Sequence, residues 1–122
     1  MQRAEVTSAE QLDCLLDRLA ARASELRIPF NVTIEGLDGT YMDIIVGGAA
    51  ASVQWVREDP WECRVSLSSE QEDDDSPVTF AGNGQDSELE RRWWIDPAIA
   101  REAVRHYFNT GELASVVRWE LF

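Results

Sequence analysis

The sequence predicts an α+β fold: a mostly antiparallel, twisted sheet of about six to seven strands, with two helices over residues 8–26 and 97–109 packed on it. Three observations carry this. Two stretches repeat apolar residues at helical spacing and begin at capping residues. Between them lie short runs that alternate apolar and polar residues. Asp-Gly, Gly-Gly and Asp-Pro pairs punctuate those runs, so the connections read as hairpins. At 122 residues, the chain has the length of one domain, 1–122.

The first helix opens at Thr7 and Ser8, each followed three residues later by Glu10 or Gln11, the spacing of a capping box. Leu12, Leu15, Leu16, Leu19, Ala23 and Leu26 then follow one helical face, and Pro29 stops the run. Phe30, Val32 and Ile34 alternate with Asn31, Thr33 and Glu35 as a half-buried strand. The turn Leu37-Asp38-Gly39-Thr40 returns it along Tyr41 to Val46. Strands are also expected over 52–56, 61–67, 78–80, 89–95 and 116–121. Gly47-Gly48 and Gly82-Asn83-Gly84 read as turns. The second helix has Asp96 as N-cap, Pro97 at its first position, an apolar face of Ala100, Ala103, Val104, Tyr107 and Phe108, and Gly111 as terminator.

Composition narrows function. Twenty-three acidic residues face eleven basic ones, all arginine, for a net charge of −12. Phosphate backbones and anionic membranes repel such a surface, which speaks against nucleic acid and membrane as partners. A basic protein would be steered onto it. The opening residues carry no apolar signal segment, and no apolar run reaches ~18 residues, so a cytoplasmic protein is expected.

Residues for catalysis are few. Cys14 and Cys63 belong to no CxxC or Cys/His set and read as buried small hydrophobes. His106 is the one histidine, beside the apolar stripe of the second helix. One histidine and two cysteines supply zinc poorly. The run Glu70 to Asp75 lacks the glycine and ligand alternation of a calcium loop. No phosphate-binding glycine motif occurs. The expectation is a non-enzyme without metal or cofactor.

The acidity is concentrated. Residues 57–90 hold eleven acids and two arginines, a net of −9 in about a third of the chain. Within it lie the acidic loop 68–77 and the segment around Trp61. If the turns of this stretch share one end of the sheet, they form a negative patch. The candidate partner-binding residues are Glu58, Asp59, Trp61, Glu62, Glu70, Glu72, Asp73, Asp74 and Asp75. Trp61 reads equally as a core residue or as an exposed anchor ringed by acids. Trp55, Trp93 and Trp119 lie within apolar strand patterns and read as core. An exposed Trp94 would offer a surface for a homodimer.

The C-terminal third carries a resemblance. Asp96-Pro97 opens a helix with Ala100-Arg101 and Ala103-Val104; Thr110-Gly111 follows, then Val117-Arg118-Trp119-Glu120. This resembles the first immunity-protein family of bacterial polymorphic toxin systems. Val6-Thr7-Ser8 with Leu12, Leu15 and Leu16 fits too, as does Val46-Gly47 with Ser52-Val53, so the likeness touches nearly the whole chain in short pieces. Ala114 stands where that family often has proline, and the acidic loop is longer than its pattern. The resemblance implies a cytoplasmic antitoxin that binds a cognate secreted toxin one to one and blocks its active site. Toxins paired with the family are often nucleic-acid deaminases of the cytidine type or nucleases, whose substrate groove must be basic. Two other readings stand beside it: an acidic adaptor or chaperone for a basic secreted effector, and a small enzyme using Cys63 or His106.

Overall fold

The computed structural model describes residues 5–36, 38–70, 72–82 and 85–122. Helix α1 (Ala9–Leu26) begins where Ser8, in extended backbone, accepts the Gln11 N–H on its Oγ at 3.2 Å. The Gln11 Oε1 reaches back to Thr7, accepting from its backbone N–H at 2.8 Å and its hydroxyl at 3.0 Å. The two overlapping capping boxes thus merge into one cap. Leu12, Leu16 and Ala23 are buried along a single stripe. Cys14 is exposed, against expectation. It stands about 200° around the helix from both Leu12 and Leu16, at ~100° per residue, and so faces water.

The chain then builds a seven-stranded sheet: β1 (Phe30–Glu35), β2 (Thr40–Val46), β3 (Ser52–Glu58), β4 (Trp61–Leu67), β5 (Pro77–Gly82), β6 (Gln85–Glu90) and β7 (Arg118–Leu121). Their order across the sheet is β6-β5-β1-β2-β3-β4-β7. Strands β1 to β4 form the expected antiparallel meander. The β5–β6 hairpin returns to the far edge and lies parallel to β1, through Phe30 and Ala81. The β1–β2 turn contains Gly39 at φ +79, but Leu37 lies outside the described residues, as do Asn83 and Gly84 of the next expected turn.

Helix α2 (Pro97–Thr110) is capped by Asp96, whose carboxylate accepts the Ala98 N–H at 2.8 Å, and ends at Gly111 with φ +75. Both helices cover one face of the sheet. There Met42, Ile44, Val46 and Val53 pack against Leu12, Leu16, Ala103, Val104 and Tyr107. Fully burying one leucine of such a core contributes roughly 1.5–3 kcal/mol.

Part of the opposite face is closed by a second, smaller core of Ile45, Leu89 and Trp94, with Val78, Phe80 and Trp93 around it. This core overturns one sequence expectation and decides a question the sequence left open, the placement of Trp94. Residues 89–95 are not one strand: β6 ends at Glu90 and a 3₁₀ turn (Arg91–Trp93) follows. That turn rolls Trp94 inward, edge-on to Phe80 at 6.3 Å, with its indole N–H toward the Leu89 carbonyl. Trp94 is therefore buried and offers no dimer contact. The last strand starts two residues late, at Arg118, because Val117 folds into a turn on the Ala114 carbonyl.

Candidate partner-binding surface

Strand register fixes what the helix-free face displays. Neighbouring partners share a face, and alternate residues along a strand share it too. Glu35, Tyr41, Val56 and Cys63 therefore form one row across β1, β2, β3 and β4. The Phe122 N–H, bonded to the Cys63 carbonyl, extends that row. Thr33, Asp43, Gln54, Val65 and Glu120 form the next row. Glu58 and Trp61 pair at the tip of the β3–β4 hairpin, above both rows.

At that tip Trp61 is 66% exposed, which excludes the core reading. The hairpin is braced from below. Arg57 donates from Nε to the Pro60 carbonyl at 3.0 Å while its guanidinium lies over Trp55 at 5.8 Å. Phe122 is also exposed and tilts against Trp93 at 5.1 Å between ring centres. Trp93 is held from the other side, its indole N–H donating to Glu120 at 2.7 Å.

Beside the hairpin tip a polar groove of about 470 Å³ runs over β1, β2 and the end of β3. Asn31, Thr33, Glu35, Tyr41, Asp43 and Glu58 are among its described walls. The Thr33 hydroxyl donates to Asp43 at 2.5 Å. Burial pushes the Asp43 carboxyl above its ordinary range, against the Thr33 and Asn31 hydrogen bonds that lower it. The Tyr41 hydroxyl is pushed up first by burial, then by Asp43 and Glu58.

The structure places the sequence-predicted residues in two groups. Glu58, Asp59 and Trp61 sit together, exposed, at the hairpin tip. Glu62 alternates to the helix face, where Arg64 at 2.9 Å and Arg57 at 3.4 Å hold it, Arg64 first keeping its carboxyl below the usual range. The acidic loop follows β4, so it leaves the opposite end of that strand. Seven residues at ~3.3 Å each put it roughly 20 Å from Trp61. The turns do not share one end of the sheet.

The loop is also engaged with its own chain. Glu72 pairs with Arg118 at 2.9 Å, Asp74 accepts the Ser76 N–H and hydroxyl, and the Asp74 carbonyl accepts the Arg92 N–H. Glu70, Asp73 and Asp75 are exposed, and Gln71 lies outside the described residues. Sequence reasoning missed Glu35, Tyr41 and Asp43 as neighbours of the Trp61 tip. The alternation of Asn31, Thr33 and Glu35 marked one face of β1; nothing local said that a groove forms there beside the Trp61 tip.

The two candidate nucleophile partners lie in different layers. Cys63 belongs to the helix-free face, and burial, with Asp43 second, pushes its thiol up, away from a reactive thiolate. His106 is exposed on α2, across the sheet. Among the described residues, no three or more His, Cys, Asp or Glu side chains are grouped to hold a metal ion. No helix among them is long and apolar enough to cross a membrane.

Comparison with protein families gives the decisive match. The family model described as Immunity protein Imm1 matches residues 2–121, nearly the whole chain. The chain belongs to the Imm1 immunity-protein family. No curated protein matches it. Imm1 membership makes this an immunity protein, and the partner class it implies is a cognate toxin.

Against the Imm1 assignment, the motif residues of the C-terminal third prove to be scaffold. Asp96 caps α2, and Gly111 closes it with a 2.7 Å bond to the Tyr107 carbonyl. Trp119 donates its indole N–H to the Ala114 carbonyl at 2.9 Å, and Glu120 holds Trp93. These residues hold the fold together through caps and buried hydrogen bonds.

Proposed function

We propose that this immunity protein acts without catalysis, as a single domain in the cytoplasm, binding its toxin one to one and covering the toxin's active site. The toxin is a basic, nucleic-acid-acting domain, a cytidine deaminase or a nuclease. Glu58, Asp59, Trp61 and Glu62, with the acidic loop Glu70, Glu72, Asp73, Asp74 and Asp75, supply the contact.

The family match over residues 2–121 carries the reading, and the net charge of −12 gives the partner its sign. A toxin that grips nucleic acid needs a positive groove, and an acidic protein can fill that groove in place of substrate. Opposite charge also raises the association rate, which matters when a single free toxin molecule does harm. An interface of roughly 1,600 Å² suffices for tight, specific binding.

Co-expression with the toxin domain encoded beside this gene tests the proposal. Restored growth and a co-purifying one-to-one complex are the expected results. Growth arrest without any complex contradicts it.

A further inference from the structure

Resting on the toxin-binding reading above, we infer that the toxin docks on the β4–β7 edge of the helix-free sheet face: an apolar toxin side chain seats between the rings of Trp61 and Phe122, and basic toxin surface around it faces Glu58 and Asp59. This leaves the acidic loop at the far end of β4 outside the centre of the interface.

Strand register brings the two rings together. Phe122 lies across from Cys63, its N–H donating to the Cys63 carbonyl at 2.8 Å. Trp61 precedes Cys63 by two residues on β4 and so shares its face. Trp61 and Phe122 are therefore diagonal neighbours, a spacing of about 7–8 Å between Cα atoms that one inserted side chain can bridge. Trp61 is 66% exposed and Phe122 60%. Val56 and Cys63, paired beside them on the same face, are buried, so the floor of the patch is apolar. Single exposed hydrophobics are ordinary, but large aromatics grouped over an apolar floor mark a surface that a partner covers. Both rings are also held in advance. Arg57 fixes the Trp61 hairpin through the Pro60 carbonyl, and Phe122 rests on Trp93, which Glu120 holds. Little ordering entropy is left to lose on binding.

Charge chooses the occupant. Glu58 and Asp59 are exposed beside Trp61, in the stretch 57–90 whose eleven acids and two arginines give a net of −9. A second copy on this face would bring like charge onto like charge across a symmetric contact, whereas a basic toxin surface gains from it. The acidic loop has the charge without the anchor. Its Glu72 is already paired with Arg118, and Asp74 is turned onto Ser76. Its exposed acids, Asp73 and Asp75, act at long range. They raise the encounter rate, and salt screens them over a Debye length of about 8 Å at physiological ionic strength.

The test is a titration of the purified toxin domain with three proteins: wild type, W61A combined with F122A, and D73R combined with D75R. All the altered side chains are exposed, and circular dichroism checks that each variant is folded. The W61A/F122A protein is expected to bind about thirtyfold or more weakly, the loss of a hot spot worth at least ~2 kcal/mol. That loss should persist in about 1 M salt, because apolar contact is not screened. D73R/D75R is expected to change the equilibrium constant by less than about fivefold, mostly through slower association, and the difference should shrink in salt. Hydrogen exchange on the wild-type complex needs no variant: added protection is expected over 58–64 and 119–122 rather than over 68–77. Wild-type binding with W61A/F122A unchanged, with the larger loss in the loop variant, or with protection confined to 68–77 overturns the inference and leaves the toxin-binding reading intact. No binding by wild type overturns both. Light scattering covers self-association: a wild-type dimer that W61A/F122A abolishes makes this face a contact between copies and overturns the inference too.

Discussion

The hydroxyls of Thr40 and Tyr107 meet at 2.7 Å in the buried core, joining the start of β2 to the last turns of α2. Thr40 donates its own proton to Asp38 at 2.5 Å, so Tyr107 donates to Thr40. A Cβ on Gly36 would come within 2.4 Å of the same tyrosine oxygen, so the chain passes close by on that side. One relay therefore ties α2 to the β1–β2 turn, next to the groove of the helix-free face.

Removing that relay has a modest, measurable effect. Tyr107→Phe deletes one buried hydrogen bond and leaves Thr40 bonded to Asp38. A loss of about 1 kcal/mol in urea unfolding is expected. Thr40→Val removes the shared partner of both neighbours and is expected to cost more than Tyr107→Phe.

Acid should destabilise the protein in a defined sense. Asp38 is held below its ordinary range chiefly by the Thr40 hydroxyl, Glu62 by Arg64, and Asp74 by the Ser76 hydroxyl. Each is more acidic folded than unfolded, so the stability it gives is present above the unfolded values near pH 4 and is lost as pH falls through the folded ones. Asp43 has the opposite sign: burial raises it, so it favours folding at low pH and opposes it once pH exceeds its folded value. Unfolding followed from about pH 7 to about pH 2 should show net loss of stability. Asp43→Asn should raise stability at neutral pH and steepen the acid loss.

Gly47 lies where α1 packs closely on the end of β2. Its φ is +97, and an added Cβ would lie 2.2 Å from the Ala23 Cβ. Gly47→Ala combines a left-handed backbone at ~1–2 kcal/mol with overpacking at ~1–3 kcal/mol. A total loss of about 2–5 kcal/mol is expected from chemical denaturation. A change below about 0.5 kcal/mol, the range of ordinary surface substitutions, would show that α1 shifts away freely.

The tryptophans should separate stability from recognition. Trp94→Ala opens the second core and is expected to cost about 3–5 kcal/mol. Trp61→Ala removes an exposed ring and is expected to change stability by less than ~0.5 kcal/mol. The same equilibrium unfolding measurement reads both.

Much of the fold was legible because its signals are local. The Ser8 and Asp96 caps, the Gly111 terminator and the meander from Phe30 to Leu67 each follow from a few neighbouring residues. What escaped is set by distant partners. Trp94 turns inward because β5 and β6 curl beneath Ile45, and no pattern in residues 89–95 announces that. Cys14 looked buried from its leucine neighbours, although helical rotation alone turns it to water. The candidate surface was half legible. Trp61 and Glu58 stood out by charge and context, but Asp43 and Glu35 join them only through strand register. The loop acids stood out most in sequence because they are contiguous, a property that says nothing about which end of the sheet they reach.

The most direct test of the central claim is the toxin domain's own activity on nucleic acid, measured against increasing amounts of this protein. The proposal expects activity to fall linearly and to vanish at one equivalent, with inhibition weakened in the W61A/F122A protein. Activity that persists with the protein in excess, with both proteins folded, would contradict it.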